Sequence, residues 1–178
     1  MSDNLLEVFH QLRRYIEHDL DQLLEQPEGG NYAAVLLIVI GCEALSRLLG
    51  KPIDSIFIEK LMKPYGLNDA MAQDVADALR NGLAHIYDTK YIEAGNLKFE
   101  LVVSWGKMKH LSINRDSPGL FLNVRTMRDD LRNEFEEIAR QLEINNSKTL
   151  NVSAEWKKKR TKQSHKSVKE WKKKFEIK

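Results

Sequence analysis

The segment from Ala33 to Cys42 most limits the folds open to this chain, because it is apolar along its whole length and carries no charge. It is well short of the roughly 20 residues that a membrane-spanning helix requires. The wider pattern, from about Asn31 to Leu49, predicts a helix that is apolar on nearly all sides through its first half. Other elements must cover such a helix, so we expect it at the centre of a helical assembly.

Three further long helices are predicted from apolar residues that recur at steps of three and four. The first is capped by Asp3 or Ser2, the second begins at Asn68 or Asp69, and the third spans about residues 123 to 143. Asp54 is expected to cap a short additional helix through Met62. The three apolar stripes consist of Leu5, Phe9, Leu12, Ile16, Leu20 and Leu23; of Val75, Leu79 and Leu83; and of Met127, Leu131, Phe135, Ile138 and Leu142.

Between the last two helices the spacing changes to alternation, which is typical of strands. Apolar residues alternate from Leu97 to Trp105 and again at Leu111 and Ile113, with turn signals at Gly106 and at Ser117 to Gly119. The sequence therefore predicts a small antiparallel hairpin or meander at about residues 97–124. The fold class expected from periodicity is mainly α, with four main helices and this insertion before the last core helix.

Length and composition suit one globular domain, residues 1–150, followed by a separate tail, residues 151–178. The chain has 178 residues, of which 42% are hydrophobic and 30% charged. Cys42 is the only cysteine, which excludes an internal disulfide and gives no metal-binding pair. No Cys/His cluster or glycine-rich phosphate loop occurs, so we expect neither a metal nor a cofactor. Asp3 and Glu7 replace the basic start of a secretory signal, which favours a cytoplasmic protein.

Residues 80 to 87 read Arg-Asn-Gly-Leu-Ala-His-Ile-Tyr, and they are the stretch in which residue types and spacing together suggest chemistry. Arg80 can hold a phosphate in a fork of hydrogen bonds. His85 can exchange protons near neutral pH. Five residues at 3.6 per turn place these two roughly 140° apart around a helix. Either the long Arg80 side chain turns back or the helix bends at Gly82.

Arg80, Asn81, His85 and Tyr87 resemble the signature of the HEPN superfamily, whose motif is Arg, four to six residues, then His. The first spacer residue there is commonly polar, and a tyrosine two places after the histidine is found in a toxin branch. The resemblance implies an up-and-down four-helix bundle with the motif on its third long helix. It also implies a homodimer in which two motifs share one cleft, and an acidic residue of the second helix near the site, here Glu43.

The function that this resemblance implies is metal-independent cleavage of RNA by a toxin or defence effector. His85 would assist the 2′-hydroxyl in attacking the adjacent phosphorus, and Arg80 would stabilise the charge on the phosphoryl oxygens. Asn81 would orient the phosphate or His85. The products would be a 2′,3′-cyclic phosphate and a 5′-hydroxyl. A nucleotidyltransferase antitoxin or another regulatory partner is expected with such an effector.

Structural roles compete with these functional ones. Arg80 can pair with Asp77 on the helix surface, Glu43 can pair with Arg47 four residues later, and Tyr87 can close the core where the helix ends. The main alternative function is a non-catalytic HEPN-like dimer that binds RNA or a protein.

The C-terminal segment is strongly basic. From Glu155 to Lys178, ten Lys and one Arg against three Glu give a local net charge of +8, which leaves −6 for residues 1–154 of a chain whose net charge is +2. Aromatic residues lie among the lysines, a mixture suited to following a phosphate backbone while stacking on bases. We expect RNA to be bound by Lys157, Lys158, Lys159, Arg160, Lys172, Lys173 and Lys174, with Trp156, Trp171 and Phe175 as stacking residues. One alternative is that the segment binds an anionic membrane, which is a less favoured partner than RNA. The other is that the segment is a solvated tail.

Overall fold

A computed structural model describes residues 4–25, 31–86, 91–94, 97–104, 106, 108–114, 119–144 and 156. The chain is mainly helical, with a small sheet between its last two long helices. The long helices are α1 (Leu5–Glu25), α2 (Asn31–Leu48), α3 (Asp69–Ile86) and α4 (Val124–Ile144). A π-helical segment, Phe57–Met62, and a 3₁₀ turn, Lys63–Tyr65, connect α2 to α3.

Helix α2 is the centre of the helical part, as its composition predicts. It packs against α1, α3 and α4, and it also contacts strand β2, defined below. Its buried side includes Ala34, Val35, Ile38, Val39, Cys42 and Leu45. Gly41 permits close approach, because a Cβ atom built there would lie 3.1 Å from Ile16 Cδ1 of α1 and 3.6 Å from Leu131 Cδ2 of α4.

The predicted apolar stripes of the other helices face this centre. Phe9 of α1 and Phe135 of α4 are fully buried and meet edge to face, with ring centroids 5.9 Å apart. Val75, Leu79 and Leu83 of α3 are buried as expected. The π-helical segment packs against both α3 and α4 and contributes Phe57 and Leu61 to the core.

Helix starts follow local capping chemistry, with one correction. Asn68 Oδ1 accepts a hydrogen bond from the Met71 amide at 3.0 Å, which confirms the predicted start of α3. Asn4 Oδ1 accepts from the Glu7 amide at 3.2 Å and caps α1; Ser2 and Asp3 lie outside the described residues. The cap expected from Asp54 is wrong: its carbonyl oxygen accepts from the Ile58 amide at 2.9 Å, but its side chain turns away towards α3.

The sheet contains β1 (Ile92–Ala94), β2 (Leu97–Ser104), β3 (Ser112–Asn114) and β4 (Gly119–Asn123), in the spatial order β1-β2-β4-β3. β1 and β2 are antiparallel, as are β3 and β4, but β2 and β4 run parallel. The antiparallel pairing of β3 with β4 is confirmed, the predicted pairing of β2 with β3 is wrong, and β1 was not predicted. Asn123 ends β4 and caps α4 through a hydrogen bond from the Thr126 amide to its Oδ1 atom at 3.1 Å.

Trp156 is the one described residue of the C-terminal segment. Its side chain is half-buried and packs against the hydrophobic core. Trp156 therefore contacts the helical body, and the boundary at residue 150 stays a prediction. Trp171, Phe175 and the seven predicted RNA-binding residues, Lys157 to Arg160 and Lys172 to Lys174, lie outside the described residues.

Candidate functional site

The candidate site is centred on Arg80, on the third long helix. Its guanidinium turns back from α3 towards α2 and the turn that follows it. Arg80 Nη2 donates to Asp54 Oδ1, Nη1 lies 3.4 Å from Asp77 Oδ1, and Nε lies 3.6 Å from Glu43 Oε2. Three carboxylates therefore surround one arginine, whose side chain is 26% exposed.

Helix α3 reaches this position without interruption. It continues through Gly82 to Ile86. The long Arg80 side chain is directed at Glu43 and Asp54, and its approach to His85 stays a prediction. Asn81 is exposed on the same helix. The backbone of His85 lies in α3, but its side chain is outside the described part of the structure, and so is Tyr87.

Glu43 contacts both Arg47 and Arg80. One oxygen, Oε1, accepts from Arg47 Nη2 at 2.9 Å and from Arg47 Nε at 3.1 Å, which is the local pair four residues along α2. The other oxygen, Oε2, faces Arg80. Glu43 thus joins the local ion pair of α2 to the motif arginine of α3, and the two alternatives are compatible.

Asp54 and Gln73 complete the cluster, and sequence reasoning did not assign either to the site. Gln73 Nε2 donates to Asp54 Oδ2 at 3.0 Å and lies 3.3 Å from Asp77 Oδ1. Asp54 is buried, with 8% of its surface exposed. A buried carboxylate requires a charged or hydrogen-bonding partner, and Arg80 and Gln73 supply both. The signal available in the sequence was only that Asp54 follows the apolar helix.

A polar groove of about 240 Å³ adjoins this cluster. It lies between α3 and β1 and is lined by Asp74, Asp77, Ala78, Asn81, Tyr91, Ile92 and Glu93. Asp77 belongs to both the groove and the Arg80 cluster, so the two are continuous. The groove carries three acidic side chains, which makes it unfavourable for a polyanion unless a cation accompanies the ligand.

A partly exposed stripe of α2 runs along the helix towards Glu43. Ile40 lies three residues after Leu37 and four after Leu36, and Glu43 and Arg47 continue this spacing along α2. Ile40 is 48% exposed. A shallow groove of about 480 Å³ runs beside this stripe, lined by Asp19, Gln22, Leu23, Ala33, Leu36, Leu37 and Ile40. We call Leu36, Leu37 and Ile40 the apolar stripe.

Within the described residues, no group of three or more His, Cys, Asp and Glu side chains is arranged to hold a metal ion. None of the described helices combines the length and the apolar character that crossing a bilayer requires. Comparison of the chain with protein-family models, curated proteins and solved structures found no match. The HEPN resemblance therefore depends on the motif residues themselves.

Proposed function

We propose that this protein is a metal-independent endoribonuclease of HEPN type, acting as a toxin or defence effector. The observation that carries the proposal is the contact between Arg80 and Glu43, 3.6 Å apart. The resemblance implies an acidic residue of the second helix near the site, and Glu43 is that residue. Asn81 lines the groove that shares Asp77 with this cluster. A partly exposed arginine beside an open groove can contact a phosphate without losing its place in the fold.

In the proposed reaction, His85 removes the proton of a ribose 2′-hydroxyl, whose oxygen attacks the adjacent phosphorus. The bond from phosphorus to the 5′-oxygen breaks, and the leaving oxygen takes up a proton. Arg80 stabilises the negative charge on the phosphoryl oxygens, and Asn81 orients the phosphate or the histidine. The products are a 2′,3′-cyclic phosphate and a 5′-hydroxyl, and DNA is excluded because it lacks the nucleophile. Tyr87 lies at the end of the motif and is proposed as a supporting residue.

We also propose that α1 to α4 form the up-and-down bundle of the superfamily, with the mixed sheet inserted between its third and fourth helices. The packing of α1 on α2, of α2 on α3 and of α1 on α4 supports this arrangement. A second copy is proposed to dock on the apolar stripe, since that stripe continues directly into Glu43 and Arg47. Docking there would bring two motif helices close to one cleft.

The charges around Arg80 bear on how RNA is captured. Glu43, Asp54 and Asp77 outnumber Arg80 and Arg47, so this corner does not attract a polyanion over a distance. Capture is assigned instead to the basic residues 157–178, and the site acts only on RNA that is already held nearby. A cytoplasmic location and a regulatory partner such as a nucleotidyltransferase antitoxin are part of the same proposal.

The test is cleavage of single-stranded RNA by purified protein in excess chelator. We expect cutting that stops in His85→Ala and continues in His18→Ala, whose exposed histidine lies on α1. A matched RNA with 2′-O-methyl groups should bind equally well and remain intact, because its nucleophile is blocked. Cutting that persists in His85→Ala, or that stops with chelator, would contradict the proposal.

Arg80 is better tested by Arg80→Lys than by Arg80→Ala. Removal of the whole cation would leave the buried Asp54 carboxylate without its charged partner, and breaking a buried pair in this way costs about 3–5 kcal/mol of stability. Lysine keeps the charge but cannot present a planar fork to a phosphate. We expect Arg80→Lys to remain folded and to lose most of its cleavage rate.

The satisfied ion pairs of Arg80 also favour the second candidate function, a non-catalytic dimer that binds RNA or a protein partner. An arginine of a structural ion-pair network and a substrate-binding arginine of a ligand-free site can have the same contacts. Intact 2′-hydroxyl RNA that is bound but never cut, under conditions that preserve the fold, would establish this alternative.

A further inference from the structure

The two aspartates that contact Arg80 differ sharply in their surroundings. The Asp54 side chain is 10% exposed, whereas the Asp77 side chain is 50% exposed. Asp54 comes from the turn after α2, 26 residues before Arg80, while Asp77 is three residues before Arg80 on the same helix. One carboxylate therefore holds the guanidinium from inside the protein, and the other meets it on the solvent side.

Asp54 is itself fixed in place. Its Oδ2 atom accepts a hydrogen bond from Gln73 Nε2 at 3.0 Å, which leaves Oδ1 directed at Arg80 Nη2. A buried carboxylate with both oxygens occupied keeps one orientation, and it passes that orientation to the guanidinium that it contacts. Asp54 thus determines where the remaining donors of Arg80 point.

Asp77 makes a weaker contact. Its Oδ1 atom is 3.4 Å from Arg80 Nη1 and is also 3.3 Å from Gln73 Nε2. An exposed ion pair of this length contributes little to stability. Arg80 Nε is buried, and no described atom accepts a hydrogen bond from it; Glu43 Oε2 is 3.6 Å away. Nη1, which faces the exposed Asp77, is therefore the donor that a phosphoryl oxygen could satisfy better than Asp77 does.

We propose that the two aspartates act on Arg80 in opposite senses: Asp54 is a positioning residue for the arginine, and Asp77 is a competing anion that a substrate phosphate displaces. This inference rests on the proposed function, and it adds two residues that the motif does not contain. When RNA binds, Arg80 keeps its bond to Asp54 and exchanges Asp77 for a phosphoryl oxygen. Asp77 then turns outward into the adjoining groove.

Two matched substitutions test this, because Asp54→Asn and Asp77→Asn each remove one negative charge beside Arg80. Charge alone predicts that both variants bind RNA more tightly. Our proposal predicts opposite results. Asp77→Asn should lower KM by about two- to five-fold at low salt, and the gain should shrink as salt rises. Asp54→Asn should lower kcat on the order of 10- to 100-fold with no gain in KM, because the arginine is displaced from its working position.

Gln73→Met keeps the proposal testable even where Asp54→Asn does not fold. It removes the amide that fixes Asp54 Oδ2, together with its longer contact to Asp77, and leaves every charge in place, so we expect kcat to fall several-fold. Asp129→Asn, on the exposed surface of α4, is the charge-matched control and should alter neither constant. Circular dichroism of each variant confirms that the fold is retained.

The outcomes separate this inference from the proposed function. If wild-type protein cuts RNA but Asp54→Asn and Asp77→Asn change the kinetics in the same direction, the inference alone is overturned. Wild-type kcat in Gln73→Met would overturn the positioning role of Asp54 independently. If wild-type protein does not cut RNA, the proposed function fails and the inference fails with it.

Discussion

His110 is expected to make the folded protein sensitive to mild acid. It is buried in the turn between β2 and β3, with 4% of its surface exposed. Its Nδ1 atom accepts a hydrogen bond from the Asn123 amide at 3.1 Å, and Nε2 faces the Leu61 carbonyl oxygen at 3.4 Å. These contacts require a neutral ring whose proton is on Nε2. Burial lowers the pKa of His110 to about 4, because a charged ring would lose its hydration.

The magnitude follows from the difference between the folded and unfolded states. An unfolded histidine has a pKa of about 6.5. Between about pH 6.5 and pH 4, His110 is therefore mostly protonated in the unfolded chain and mostly neutral in the folded chain. The contribution of neutral His110 to the free energy of unfolding is therefore fully present above about pH 6.5, and it is lost as the pH is lowered. Between about pH 7 and pH 5 the loss from this one group is about 2 kcal/mol. For a chain of this size that corresponds to roughly 4–8 °C in Tm.

The assay is urea unfolding at about pH 7 and pH 5 for wild-type protein and His110→Asn. An asparagine oxygen can still accept from the Asn123 amide, but it does not titrate in this range. Tyr65 stacks edge to face on His110 at 4.6 Å and donates to Asp130 at 2.6 Å. The pKa of Asp130 is raised, chiefly by burial, which opposes the histidine effect. Asp130 is present in both proteins, so its contribution cancels from the difference.

We expect wild-type protein to lose about 2 kcal/mol more than His110→Asn between the two pH values. His18→Asn, at an exposed position on α1, is the matched control and should behave like wild type. An equal loss in wild-type protein and His110→Asn would show that the buried ring is not the source of acid sensitivity.

Three further predictions concern reactivity, assembly and the tail. Burial raises the pKa of the Cys42 thiol, so iodoacetamide should alkylate it only after unfolding; rapid labelling of native protein would contradict its burial. Native mass should be near twice 20.6 kDa, and Ile40→Asp should reduce it to one chain, whereas Tyr15→Asp on exposed α1 should not. Truncation after Trp156, which keeps its core contact, should weaken RNA binding and flatten its salt dependence; a loss of binding to anionic vesicles with unchanged RNA affinity would favour the membrane alternative.

The long helices could be predicted from the sequence because the signals that define a helix lie close together along the chain. The apolar spacing of α1, α3 and α4 and the cap at Asn68 depend on residues within one or two turns. The alternation of β2 and β3 was also visible. The parallel pairing of β2 with β4 was not, because alternation records which face of a strand is buried and carries nothing about the direction of its neighbour. In the structure β4 lies between β2 and β3.

The candidate site shows the same division. The motif indicates Arg80 and Asn81, and a charge that interrupts an apolar helix indicates Glu43. Asp54 was assigned to a cap, since an aspartate before a short helix usually has that role. Its pairing with Arg80 crosses 26 residues and depends on how α2 and α3 pack together. No pattern within a single element could have indicated it.

Charge segregation gives the basic tail and the Arg80 cluster separate tasks within the proposed function. An arginine held by acidic neighbours gains a fixed position but loses attraction for RNA at a distance. The net charge of −6 on residues 1–154 has the same effect, while the +8 of the following segment can release counterions from a phosphate backbone. The salt dependence of RNA affinity should therefore follow the tail, and kcat should follow Asp54 and Arg80. A protein that lacked its tail but kept both residues would act slowly at low RNA concentration and at its full rate under saturation.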